Sequence, residues 1–127
     1  MLFTKRERIV SKKLIEALFA GNGSHSLAAF PLRVVYMKCQ RPADNPPAQI
    51  LISVPKRHFK HAVDRNRAKR QIREAYRQNK QLLTEHLADD EQLAIAFIWL
   101  SDRPQSSKTV TSQVKHLLKR IADKRQS

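Results

Sequence analysis

Residues 63–77 read Val-Asp-Arg-Asn-Arg-Ala-Lys-Arg-Gln-Ile-Arg-Glu-Ala-Tyr-Arg, and this stretch limits the possible folds more than any other. At about 100° per residue, Ala68, Ile72, Ala75 and Tyr76 share one side of a helix, while Lys69, Arg70, Arg73, Arg77 and Lys80 fall in an arc of roughly 100° beside and opposite it. Asn66 sits among the cations. Such a helix needs a core on one side and something outside the chain on the other, because like charges one turn apart repel. A solvated face laced with salt bridges is the plain reading of a charge run. Here Glu74 is the single acid between Arg65 and Lys80, so that reading lacks its anions. Arginine dominates, and its planar fork suits bidentate contact with phosphate oxygens or a guanine edge. A polyanion is the natural partner.

The whole chain leans the same way. With 25 Lys+Arg against 11 Asp+Glu in 127 residues, the formal charge is +14, an excess typical of nucleic-acid binders rather than of enzymes acting on neutral metabolites. A membrane is the rival polyanionic surface, but no apolar run reaches the ~18 residues that spanning requires. The first residues are basic without a signal-like apolar segment after them. A hydrophobic content of 41% supports a real core, and the length suits one RNA-binding domain over 1–127. Cys39 is the single cysteine, which excludes an internal disulfide and fits a reducing cytoplasm.

Along the chain, Ser11 is placed to cap a helix from Lys12 to Ala20 with Leu14, Ile15, Leu18 and Phe19 on its apolar side, and Gly21 to end it. Residues 21–24 form a turn. Residues 27–39 read as strand, broken or bent at Pro31, and 41–47 with three prolines as a loop. A firm strand over 49–54 is closed by Pro55. The basic helix follows, with room to run on through Leu82 and Leu83. Residues 93–100 are a nearly continuous apolar strand, and Ser106 or Ser107 opens a last helix striped by Val110, Val114, Leu117, Leu118 and Ile121. A single sheet covered by helices results. Alternation puts Leu32, Val34 and Tyr36 with Ile50, Ile52 and Val54 on a uniformly apolar face that should meet the helices. The opposite face carries Arg33, Val35, Met37, Cys39, Leu51 and Ser53 and should stay partly open. Solvent alone accounts for such a face in many antiparallel sheets.

Arg65-Asn66-Arg67-Ala68-Lys69-Arg70-Gln71-Ile72-Arg73, preceded by Ile52-Ser53-Val54-Pro55-Lys56-Arg57 and a short run to Ala62-Val63, resembles the signature of the bacterial ribonuclease P protein subunit. The family shows an Arg-Asn-Arg core followed by Lys-Arg and another Arg, after a strand ending in Ser-Val and a basic pair. Nearly the full length fits, from Lys5-Arg6-Glu7-Arg8 to the basic C-terminal helix. The resemblance implies an α/β (α+β) two-layer sandwich, a small mixed sheet covered by helices, with a left-handed βαβ crossover through the signature helix. Periodicity carries no sign of that handedness, which runs against the usual preference.

The resemblance also implies the work. The family joins a large catalytic RNA and helps it remove the 5′ leader of precursor tRNA, with Mg2+ held mainly by the RNA and the substrate. By this carry-over Lys56, Arg57, Arg65, Asn66, Arg67, Lys69, Arg70 and Arg73 bind the catalytic RNA. Phe19, Arg33, Leu51 and Ser53 line a cleft for the leader, between the first helix and the sheet. Ile15 departs from the pattern, since an aromatic is frequent one turn before Phe19, and Phe19 fits a core position equally well. No catalytic or metal-binding residue of the protein is expected. His58 and His61 are three apart, but no Cys or carboxylate cluster completes a site; a surface or RNA-contacting role suits them better. Asp44, Asp64, Asp89, Asp90 and Glu91 lack the spacing of a two-metal nuclease, and Asp89-Asp90-Glu91 reads as a solvated turn. The expected partners are the catalytic RNA and precursor tRNA, with no membrane and no obligate protein partner. A ribosomal or general structured-RNA-binding protein would share the charge but has no need of the full signature. A stand-alone nuclease would need an acid/base cluster.

Overall fold

The apolar run near residue 93 becomes the centre of the sheet. In a computed structural model, which describes residues 7–9, 12–21, 23–40 and 46–126, this run is β4 (Glu91–Trp99), with eight of its nine residues buried. It is flanked on both edges, antiparallel by β2 (Leu32–Gln40) from Leu32↔Trp99 to Gln40↔Glu91, and parallel by β3 (Ala48–Ser53) from Ala48↔Leu93 to Ser53↔Ile98. A strand paired on both edges and covered on both faces has no polar side to show, which is why its sequence does not alternate.

The expected strand over 27–39 is instead a hairpin. β1 (Ser24–Ala29) pairs antiparallel with β2 from Ser24↔Met37 to Ala29↔Leu32, and Phe30 and Pro31 make the turn. Pro31 has no N–H to continue a ladder, and its carbonyl accepts a bond from the Leu100 N–H at 2.8 Å. The sheet order is β1-β2-β4-β3.

Parallel neighbours need a crossover, and here it is the basic helix. α2 (Ala62–Asn79) buries Ala68, Ile72, Ala75 and Tyr76, the stripe read from the sequence. It does not run unbroken through Leu83. Lys80 separates it from α3 (Gln81–Thr84), and the Lys80 carbonyl accepts from both the Leu83 and Thr84 N–H groups, at 3.1 and 2.9 Å. α4 (Ser107–Gln126) is capped by the Ser106 hydroxyl, which accepts the Thr109 N–H at 3.1 Å. α1 (Lys12–Ala20) ends at Gly21, whose φ of +84° is the left-handed conformation of a helix stop. Ser11, Lys5, Arg6, Asn22, Asp44 and the 41–45 part of the proline loop lie outside the described residues.

The two sheet faces divide as alternation requires. Leu32, Val34, Tyr36, Ile50 and Val54 pack with α2, α3 and α4 in the main core, with Ile52 partly buried against it. On the reverse face Val35, Ala94 and Ala96 are buried with Ile9 and Leu18, and Leu14 and Ile15 of α1 pack on them. Ala94 and Ala96 are small enough for α1 to lie close to the strands. The result is the expected α+β body, one mixed sheet against a helical layer, with α1 on the other face. None of the described helices is long and apolar enough to cross a membrane.

Candidate nucleic-acid interface

The buried stripe of α2 fixes which of its cations look outward. Asn66, Arg67, Arg70 and Arg73 are exposed and Lys69 is half-buried. Lys56 and Arg57 are exposed as well, in a turn closed by the His58 N–H bonding the Pro55 carbonyl at 3.1 Å. Lys69 and Arg73 line a groove of about 80 Å³ with Arg8, Ile50, Leu51 and Ile52 at the outer edge of β3, where the Ile9 N–H bonds the Ile50 carbonyl at 2.9 Å. On the opposite flank Arg67 lies beside Phe59, Trp99 and Pro104. The grid therefore spans the crest of the helix from the β3 edge to the loop before α4.

Arg65 and Arg77 of this helix, and Lys80 just beyond its end, have partners within the chain. The Arg65 guanidinium donates through Nη1 to the carbonyls of Phe59 (2.8 Å) and Lys60 (3.0 Å), clamping the segment that leads into α2. Arg77 donates from Nε to Glu74 at 3.0 Å. That hydrogen bond holds the Glu74 carboxyl below its usual range. Lys80 reaches back across the fold to Glu7, Nζ to Oε1 at 2.9 Å, with both side chains largely buried. The outward arc read from the sequence thus loses Arg77 and Lys80, and keeps Asn66, Lys69, Arg70 and Arg73, with Arg67 beside it.

Two braces set the helix in place. Gln71 donates from Nε2 to the Gln105 carbonyl (2.9 Å) and the Ser107 hydroxyl (3.1 Å). His58 Nδ1 lies 2.7 Å from Asp102 Oδ1, and its ring is only 9% exposed. His58 is therefore not a surface histidine, and the group its Nδ1 meets is Asp102. Nothing in the sequence could join residues 44 apart. Glu91 also departs from expectation. It is buried rather than solvated, with Lys38 Nζ 3.3 Å from Oε2 and the Ala88 N–H donating to Oε1. Among the described residues no three His, Cys, Asp or Glu side chains come together as a metal site.

On the reverse sheet face, Arg33, Ile98 and Ser53 form one cross-strand row through the registers Arg33↔Ile98 and Ser53↔Ile98. At about 4.8 Å per strand, Arg33 and Ser53 are roughly 10 Å apart. Leu51 sits in the next row, opposite Ala96. Arg33 is exposed and steered by its own hairpin, with Nε donating to Ser26 Oγ at 2.9 Å. Phe19 is 50% exposed and outside both core clusters, so of its two readings the buried one fails.

A family model described as Ribonuclease P matches residues 3–122. The chain belongs to the ribonuclease P protein family. It is 40% identical over 121 residues to the ribonuclease P protein component of Porphyromonas gingivalis, covering 94% of this chain and 85% of the relative. To that of Chlorobaculum tepidum it is 33% identical over 124 residues, covering 90% and 79%. The fold is that of the Staphylococcus aureus RNase P protein, solved as a mutant, with a TM-score of 0.69 at 24% identity over 94% of this chain and 90% of the other. The Thermotoga maritima RNase P protein gives 0.66 at 24% identity over 91% and 97%. As a ribonuclease P protein component the chain is part of the endoribonuclease complex of tRNA 5′ maturation, and an RNA subunit is its partner.

Proposed function

We propose that α2 grips the catalytic RNA and that the reverse sheet face receives the leader of precursor tRNA. The observation carrying this is the exposed set Asn66, Arg67, Arg70 and Arg73 on a helix locked by Ile72 and Tyr76, in which Glu74, the acid among the later cations, is already held by Arg77 and Asp64 lies back in the first turn. The cations supply sequence-independent phosphate contact. Asn66, an amide among them, adds hydrogen bonding to a base edge or 2′-hydroxyl. Lys56 and Arg57 extend the same surface into the preceding turn, while Arg65 contributes by holding the following segment, at Phe59 and Lys60, against the helix.

The leader lies over the row Arg33, Ile98 and Ser53, with Leu51 beside it and Phe19 offering a ring face to a base. The groove shared by Leu51, Lys69 and Arg73 joins the two surfaces, so one RNA body can press on α2 while a single strand passes under α1. Mg2+ then belongs to the RNA and substrate phosphates, whose oxygens are the hard ligands it takes. The complex works in the cytoplasm, which suits the single cysteine.

Reconstituted cleavage of precursor tRNA tests this directly. Protein alone leaves the substrate intact, and protein with its cognate RNA cuts at the 5′ end and prefers substrate carrying a leader. Cleavage by ribonuclease-treated protein, or equal affinity for precursor and mature tRNA, would refute it.

A further inference from the structure

The last helix carries a basic row of its own. Along α4, Lys108, Ser112, Lys115 and Lys119 fall within about 60° of arc and extend over roughly 16 Å. All four are exposed, well away from the buried run Val110, Val114, Leu117 and Ile121. Among the described residues none of the three lysines is paired with an acid. Asp123, four residues after Lys119, stands at the far end of the row and forms no ion pair with it. Lys115 and Lys119, one turn apart, therefore repel each other without compensation.

Hydrogen bonds on the other flank of α4 fix the direction in which this row looks. Gln113 donates from Nε2 to the Phe30 carbonyl at 2.9 Å and Arg120 from Nη1 to the Ala28 carbonyl at 3.3 Å, so that flank faces β1. The lysines lie roughly 120° or more around the helix from these two residues, on the side of α2. At the start of α4, Gln71 of α2 bonds the Gln105 carbonyl and the Ser107 hydroxyl, and Arg67 lies beside Pro104. The lysine row thus begins where the grid on α2 ends. Glu74, on the α4 side of the α2 crest, has its carboxylate taken by Arg77 and Gln78. Two packed helices have axes ~8–10 Å apart, so the outer surface of the helical layer carries two adjoining basic ridges.

We propose that Lys108, Lys115 and Lys119 make a second contact with the catalytic RNA, gripping the backbone of one of its double-helical segments, a contact that rests on the reading of α2 for the identity of the RNA alone. The chemistry of the row selects a duplex. Unpaired strands are held by stacking on aromatic rings, and α4 contains no Phe, Tyr or Trp. Ammonium groups give point charges to phosphates without reading bases, and the Ser112 hydroxyl among them suits a 2′-hydroxyl of the wide, shallow minor groove. The leader is not the occupant, because its row of Arg33, Ile98 and Ser53 is on the opposite face of the sheet.

The test is binding of the full chain to the cognate catalytic RNA, without substrate, at several salt concentrations. Lys115→Gln with Lys119→Gln weakens binding about tenfold or more near 0.1 M salt and makes the salt slope shallower by ~1.4–1.8. Lys12→Gln with Lys13→Gln removes the same charge from α1, on the other face of the sheet, and stays within about twofold of wild type. In the complex, acylation by an N-hydroxysuccinimide ester slows at Lys108, Lys115 and Lys119 and continues at Lys12. A short RNA duplex gives the same protection, and a single strand of equal length does not. Unchanged affinity and slope in the α4 variant, with Arg70→Ala still weakened, would overturn the proposal and leave the reading of α2 standing. Equal losses in the α4 and α1 variants would reduce the row to net charge and overturn it as well, as would protection by the single strand alone. A weakened α4 variant beside an unaffected Arg70→Ala protein would uphold this contact and remove the one on α2.

Discussion

Lys80→Met and Arg73→Met remove cations seven residues apart on one helical face, yet the structure gives the two opposite consequences. The Lys80 side chain is 17% exposed and its Glu7 partner 7%, with Nζ 2.9 Å from Oε1. Removing the lysine takes its cation from a carboxylate buried near Tyr76. Breaking a buried pair costs 3–5 kcal/mol. Because Lys80 retains some solvent, about 3 kcal/mol is expected, and for a domain of this size that lowers the melting temperature by about 10 °C. Glu7→Leu with Lys80→Met should recover most of the loss, since the apolar replacement leaves no buried charge. RNA affinity measured well below the melting point, and its dependence on salt, should stay at the wild-type level. Arg73→Met should do the reverse. Arg73 is exposed beside the β3 groove, so stability stays within about 0.5 kcal/mol, while RNA binding loses on the order of 1.5–3 kcal/mol and the salt slope becomes shallower by ~0.7–0.9. Urea titration and filter binding at several salt concentrations measure all four quantities. A Lys80→Met protein with unchanged stability and a shallower salt slope would show that Lys80 faces RNA and that the Glu7 pair is incidental.

Arg67→Ala and Arg70→Ala should each weaken binding to the catalytic RNA by about 1.5–3 kcal/mol with unchanged circular dichroism, because the apolar stripe is untouched. Arg33→Ala with Ser53→Ala should spare assembly and reduce the preference for precursor over mature tRNA, read as holoenzyme affinity for both. Burial pushes the Cys39 thiol up, so alkylation by iodoacetamide at neutral pH should run slower than for a free thiol and accelerate as pH rises. Burial first, and Glu7 second, push the Tyr76 phenol well above its usual range. Its folded-state pKa is raised, so stability is full below the unfolded value of about 10 and falls as pH climbs past it. Ultraviolet titration should show Tyr76 ionising only with unfolding.

Much of this arrangement was legible because it depends on period. Four residues of α2 at helical spacing announced a buried stripe, alternation in β2 and β3 separated the two sheet faces, and Gly21 and Ser106 marked helix ends through their own backbone chemistry. What escaped was pairing across distance. Glu7 and Lys80 are 73 positions apart, and His58 and Asp102 are 44 apart. Charge type alone does not say that the partners meet, so Lys80 read as one more outward cation and Glu91 as one more solvated acid. Arg65 escaped differently: its partners are the carbonyls of Phe59 and Lys60, which every residue has. Phe19 sits at the margin of the α1 stripe, where period cannot separate a half-exposed ring from a buried one. The Pro31 turn shows the same limit, since a proline marks an interruption without saying whether the chain bends or reverses.

The place of β4 at the centre of the sheet has a consequence for the order in which the molecule is built. A ribosome releases the chain from its N-terminus, and until residue 99 emerges β3 has no strand beside it and the β1–β2 hairpin has no inner neighbour. A two-stranded hairpin alone is marginal, and the stripe of α2 has only part of its core to rest on. Folding therefore waits on long-range closure, and the nascent chain passes through a stage in which its arginines are displayed while its fold is incomplete. A polyanion present at that moment would screen the repulsion among them, making the RNA a participant in how the protein reaches its structure as well as in what the structure is for.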